Sequence, residues 1–237
     1  MGSRISLLVA FYLIMSTLMA QNFDSKLKFS KKFIFTDQID SKNSSLKKIS
    51  DFYFILFGLI NSSQEKSSGI LCLDSMGELQ WSKGLNTNTH EIYPNTLQGV
   101  DKSNVLLSIS IDDPLGTGTI LIKMNKNGEI IWSNEIRIAN KNLIIKDINS
   151  HDQGINLIGF TISNSERQGI LIMLNHNGQL INNDQAITLN NSSFISGISD
   201  SALLFTGNFQ GKPALFKKEN DSISKISYFN GFGNISE

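Results

Sequence analysis

Few residues in this chain have the type and spacing to do chemistry. The three histidines are His90, His151 and His176, and none stands at metal-ligand spacing from another His or from a Cys. His176 falls in the run Asn175-His-Asn-Gly178, which reads as a solvated turn. Cys72, the single cysteine, sits between Leu71 and Leu73. It is expected as a small buried apolar side chain, and it cannot form an intrachain disulfide. Asp112 and Asp113 open a loop that runs to Gly118, but Ca²⁺ takes six or more oxygen ligands and no third carboxylate is near. Gly116-Thr-Gly118 lacks the Lys-Ser/Thr and the helix of a phosphate-binding loop. Trp81 and Trp132 offer stacking faces, yet their repeated positions point to packing between units. The expectation is a chain with no catalytic residue, no metal and no cofactor: not an enzyme.

The elements around these residues are repeated. Gly69-Ile-Leu-Cys-Leu-Asp-Ser-Met-Gly77 continues to Trp81, and Thr119-Ile-Leu-Ile-Lys-Met-Asn-Lys-Asn-Gly128 continues to Trp132. Gly169-Ile-Leu-Ile-Met-Leu-Asn-His-Asn-Gly178 continues to Asn182, where the Trp is lost. The turn glycines are spaced 128 − 77 = 51 and 178 − 128 = 50 residues apart. A fourth, degraded copy starts at Ala214. A second mark precedes each copy. Gly58, Ser108, Gly159 and Gly207 end apolar runs at steps of 50, 51 and 48 residues. A third mark is an aliphatic pair, Leu46/Ile49, Leu97/Val100, Ile145/Ile148 and Ile195/Ile198, each followed by an Asp. Three marks in phase define units at about 46–94, 95–143, 144–193 and 194–237.

Each unit reads as four short strands. The second and third strands are apolar at nearly every position, which predicts sheets covered on both faces. The Asp/Asn-x-x-Gly run predicts a tight reversal in which Gly takes positive φ. No stripe of helical period survives, and Asn, Ser and Gly punctuate the chain at strand-length intervals. The fold class expected is all-β and propeller-like, with four recognisable four-stranded units in a ring that need not be complete. Phe29-Ser30-Lys31 matches Trp81-Ser82-Lys83 at 81 − 29 = 52 residues. Residues 21–45 are therefore expected to be a lead holding a lone outer strand around Leu27 to Phe35.

Residues 1–20 read as a secretory signal: Arg4, an apolar run from Ile5 to Leu18, and a small residue, Ala20, before Gln21. The run is shorter than the ~20 residues that span a bilayer, and no later run is long enough. The expected localisation is exported: secreted, cell surface or periplasmic. The formal net charge is zero, with 21 Lys+Arg and 21 Asp+Glu in 237 residues. Such a chain has no field to gather nucleic acid or an anionic membrane.

The marks resemble the bacterial exported β-propeller repeats of the form Asp-Gly-Gly-aromatic-apolar-Gly followed by Leu-Lys-Leu-Asp-x-x-Gly-x-x-x-Trp. They are carried best by Asp152-Gln-Gly-Ile-Asn-Leu-Ile-Gly159 and by Leu121-Ile-Lys-Met-Asn-Lys-Asn-Gly128-Glu-Ile-Ile-Trp132. The resemblance implies a binding or spacer module for a protein or polysaccharide partner, in which Gly58, Gly77, Gly128, Gly159, Gly178, Gly207, Trp81 and Trp132 are structural repeat positions. Mismatched ends add self-association to the expectations. Two alternatives compete. The chain is a fragment of a larger secreted propeller protein, or it is a propeller enzyme. The turn is similar to that of quinone-dependent dehydrogenases, but one Cys and no clustered ligands fit that chemistry poorly. It is also similar to the Asp box of sialidases, with each spacing one residue longer here.

Overall fold

The computed structural model describes residues 38–87, 90–113, 116–152, 154–181, 187–199, 204–219, 222–230 and 234–236. The signal segment, the lone strand expected around Leu27 to Phe35, and Asn182 lie outside the described residues. All the elements among the described residues are β-strands. No helix among them is long and apolar enough to cross a membrane.

The strands form four antiparallel meanders, taken in chain order. The first sheet holds β1 (Gln38–Ile49), β2 (Phe52–Ile60), β3 (Lys66–Leu73) and β4 (Leu79–Leu85). The second holds β5 (Glu91–Gly99), β6 (Asn104–Asp113), β7 (Gly116–Asn125) and β8 (Ile130–Ile136). The third holds β9 (Asn142–His151), β10 (Gly154–Ser163), β11 (Glu166–Leu174) and β12 (Ile187–Asn190). The fourth has five strands: β13 (Ser192–Ser199), β14 (Leu204–Phe209), β15 (Lys212–Glu219), β16 (Ser222–Asn230) and β17 (Asn234–Ser236). The last of these comes from a tail in which no strand was legible. In every sheet the first strand begins ahead of its aliphatic pair, by eight residues in the first sheet, six in the second and three in the third and fourth.

Burial explains the apolar runs. β10 is buried at every position from Gly154 to Thr161, so neither of its faces meets water. Successive side chains point to opposite faces, and each face meets a different neighbour. Phe54, Leu56, Ile70 and Cys72 of the first sheet pack with Leu97, Leu107 and Ile109 of the second. Leu106 and Leu121, on the other face of the second sheet, pack with Ile145, Leu157 and Ile170 of the third. Ile158 and Leu171 of the third pack with Phe194, Ala214 and Phe216 of the fourth. Each Leu, Ile or Phe among them contributes about 1.5–3 kcal/mol on burial. The sheets therefore stack in chain order, with β5 lying against β1 and β9, and β13 against β9. No core joining the fourth sheet to the first is present among the described residues.

Candidate functional site

The sheets place two kinds of feature at opposite ends. At one end, the third and fourth strands of the first three sheets are joined by the same turn. Asp74 Oδ1 accepts from the amides of Met76 and Glu78 at 2.9 and 3.0 Å. Asn125 Oδ1 accepts from Asn127 and Glu129 at 2.9 and 3.0 Å, and Asn175 Oδ1 from Asn177 and Gln179 at the same distances. Gly77, Gly128 and Gly178 take φ of 80°, 82° and 78°. A side chain there would be strained, which is why the repeat keeps Gly.

The tryptophans reach from one sheet to the next. Trp81 Nε1 donates to the Lys126 carbonyl at 2.7 Å, and its ring lies 3.0 Å from where a Cβ on Gly128 would stand. Trp132 Nε1 donates to the His176 carbonyl at 3.2 Å, with its ring 2.9 Å from a Cβ on Gly178. Asn134 Nδ2 adds a bond to the Gly178 carbonyl at 2.9 Å. Trp81 and Trp132 are both half-buried. Their apolar faces and their N–H groups are thus committed to the following turn.

A second set of glycines answers to irregularities in the first strands. Pairing shifts between Ile158 and Gly159 on β10, opposite β9, and between Phe194 and Ser196 on β13, opposite Gly207 and Thr206. A Cβ on Gly159 would meet the Ile144 carbonyl oxygen at 2.0 Å, and one on Gly207 the Ser193 oxygen at 2.0 Å. Gly58 is less crowded, with Asp40 Cβ at 3.1 Å. Ser108 stands at the matching place in the second sheet, beside the shift between Pro94 and Thr96. These positions are backbone crossings.

The chemistry-bearing side chains are dispersed. His176 Nε2 lies 3.3 Å from the Asp152 carbonyl, while the His90 amide and carbonyl are tied to Thr87 Oγ1. Asp112 accepts from Thr117 Oγ1 at 3.1 Å, closing its own hairpin. Cys72 is fully buried, and burial together with the Asp74 charge pushes its thiol up to about 11. Tyr93 donates to Glu91 Oε2 at 2.5 Å, with Lys66 Nζ 5.0 Å from the ring centroid. Burial, then the Glu91 hydrogen bond and the Glu91 and Asp112 charges, raise its phenol above the ordinary value. Among the described residues no group of three or more His, Cys, Asp or Glu is placed to hold a metal ion.

The other end of the sheets carries a groove. There the fourth strands end, the next first strands begin, and the hairpins between second and third strands turn. A cleft of about 430 Å³ is lined by Ile136, Lys141, Gln168, Ile170, Ile172 and Thr188, and reaches back to Leu180 beside the Asn175 to Gly178 turn. Lys141, Thr161 and Gln168 also line a second cleft of about 330 Å³, which reaches Glu166, Arg167 and Asn191. These last three also line a third cleft of about 480 Å³, running past Asn208 and Gln210 in the fourth sheet. The second cleft shares lining residues with each of the others, so the three adjoin and together form the groove.

Gln168 organises its middle. Its Oε1 accepts from Lys141 Nζ at 2.7 Å. Its Nε2 donates to Asn190 Oδ1 at 2.8 Å and to Thr188 Oγ1 at 3.2 Å. The guanidinium carbon of Arg167 stands 5.2 Å from the Phe160 ring centroid, a cation–π distance. Asn164, Ser165, Asn191 and Gln210 hold positive φ of 49°, 67°, 53° and 51°, so short turns wall the groove. None of the repeat positions singled out in the sequence lines it. The available signal was the polar run Asn164-Ser-Glu-Arg-Gln168 followed by Asn190-Asn-Ser-Ser193, in the one well-matched unit that has lost its Trp.

No model of a known protein family matches the chain. No characterised protein matches it in sequence.

Proposed function

We propose that this chain is an exported, non-catalytic repeat module, propeller-like in arrangement, that binds a protein or polysaccharide partner at the end where its first strands begin. The observation that carries the reading is the groove across the third sheet. Strand residues such as Thr161 and Gln168 line it together with turns at Asn164, Asn191 and Gln210, and such turns vary without harm to the stacked cores. The tryptophans and turn glycines, engaged with each other at the far end, act in this reading as joints between units. The side-by-side first strands support a partial ring, and its open ends favour self-association.

The test has two parts. Exported material is sequenced from its N-terminus, which should be Gln21. The mature chain is then assayed for binding to surface polysaccharides and surface proteins, beside a Gln168→Ala variant. Binding lost in the variant, with no turnover of the bound partner, supports the proposal. Hydrolysis of a glycoside or reduction of a quinone, abolished by the same substitution, would replace it with an enzymatic reading.

A further inference from the structure

We infer that the groove takes an acidic polysaccharide, with Lys141 and Arg167 receiving its carboxylates. This deepens the binding-module reading and rests on it. The lining chemistry is that of a site for vicinal hydroxyls. Asn191 and Asn208 each present a donor and an acceptor side by side, which matches two adjacent hydroxyls of a sugar ring. Of the apolar lining, Ile170 and Ile172 are buried, while Leu180 is exposed and suits the C–H face of such a ring. Each cleft falls in the size range of small-molecule sites. As adjoining clefts, they suit a chain of sugars better than a single one.

The charge selects the acidic kind. Lys141, Arg137 and Arg167 line the clefts against a single carboxylate, Glu166. This local excess of positive charge stands in a chain with a formal net charge of zero. Arg137 is engaged by Glu135 and by the Gly116 carbonyl. Lys141 donates to a neutral amide oxygen, which leaves its charge uncompensated and two of its three N–H donors for a ligand. The Arg167 guanidinium carbon stands 5.2 Å from the Phe160 ring centroid, a contact that uses none of its N–H donors and leaves them for a carboxylate. Neither Lys141 nor Arg167 is within ion-pair distance of a carboxylate among the described residues.

The experiment uses the mature chain and two forms of one polymer: polygalacturonate, and the same polymer with its carboxyls methyl-esterified. The acid form should bind at least about tenfold more tightly, the scale of one charge-assisted hydrogen bond. Raising salt from low to high should weaken it further. Lys141→Gln and Arg167→Gln should each cost about tenfold on the acid form and little on the ester. Lys141→Arg should retain binding, and thermal melting should confirm that all three variants stay folded. Equal affinity for both forms, or substitutions without effect on the acid form, would overturn the inference. Binding to neither polymer, with a Gln168-dependent protein partner, would overturn it while leaving the binding-module reading in place. Binding to no polysaccharide and no protein would remove both.

Discussion

The Trp81 indole rests on the turn glycine of the next sheet, Gly128. Its Nε1 donates to Lys126 two residues before that glycine, at 2.7 Å, and its ring occupies the space a Cβ on Gly128 would need. Trp132 and Gly178 repeat the relationship one unit later. Large aromatic and missing side chain are complementary halves of one joint. This explains why both recur at the same period.

Truncating either tryptophan should therefore loosen two sheets from each other. Trp81→Ala and Trp132→Ala are expected to cost about 2–3 kcal/mol each, below the range for a fully buried aromatic because both rings are half-exposed. Trp132 joins two interior sheets, so its loss should spread to both sides. Thermal unfolding of each variant beside the parent checks this. Unchanged melting with loss of glycan binding would instead make the tryptophans a recognition surface.

Two glycines in strands separate backbone crowding from ordinary strand propensity. Gly159→Ala drives a methyl against the Ile144 carbonyl at 2.0 Å and should destabilise by at least about 3 kcal/mol or prevent folding. Gly84, on β4, has nothing within 4 Å of its Cβ position, so Gly84→Ala should be neutral or slightly stabilising. Denaturation midpoints of the two variants would compare them directly. Similar losses at both sites would contradict the bulge geometry.

The four antiparallel sheets were legible because repeated burial leaves a repeated pattern. Apolar side chains at nearly every position of β10 read as a strand covered on both faces, and the Asn175 to Gly178 run read as a turn. Which faces meet a neighbouring sheet was not legible. Leu46 and Leu97 look equivalent at 97 − 46 = 51 residues, yet Leu97 is fully buried opposite Leu107 while Leu46 stands 60% exposed opposite Ile55. Leu97 packs against the first sheet, while Leu46 stands on the face turned away from the second. The groove was hidden for a related reason. Lys141, Gln168 and Asn190 come from three elements, and only the sheet brings them within hydrogen-bonding range.

Cys72 should be inert in the native protein. Burial and the Asp74 charge hold its thiol at about 11, so at pH 8 it remains protonated as well as inaccessible. A maleimide reagent should label the folded chain only as fast as it unfolds, and label it completely in denaturant. Non-reducing and reducing gels of the exported protein should agree. Stoichiometric labelling under native conditions would show that the first and second sheets part readily at the core they share.

The outward face of the first sheet leads to the last expectation. Ile49, Phe54 and Leu56 turn toward the second sheet, so by alternation Leu46, Ile55 and Phe57 turn away from it. Leu46 is paired with Ile55 and exposed, and Phe57, Leu71 and Leu73 form a separate apolar cluster on that side. That cluster is itself buried, so the open apolar positions of β1 are Leu46 and Ile39. Exposed apolar side chains on a strand at the edge of its sheet favour contact with a second chain. The mature chain should therefore self-associate as its concentration rises. Leu46→Lys places a charge on that face without entering a core, and should shift the equilibrium toward monomer while leaving the melting temperature of the dilute protein unchanged. Sedimentation equilibrium of the two proteins decides the matter. A parent that stays monomeric at high concentration would overturn this expectation.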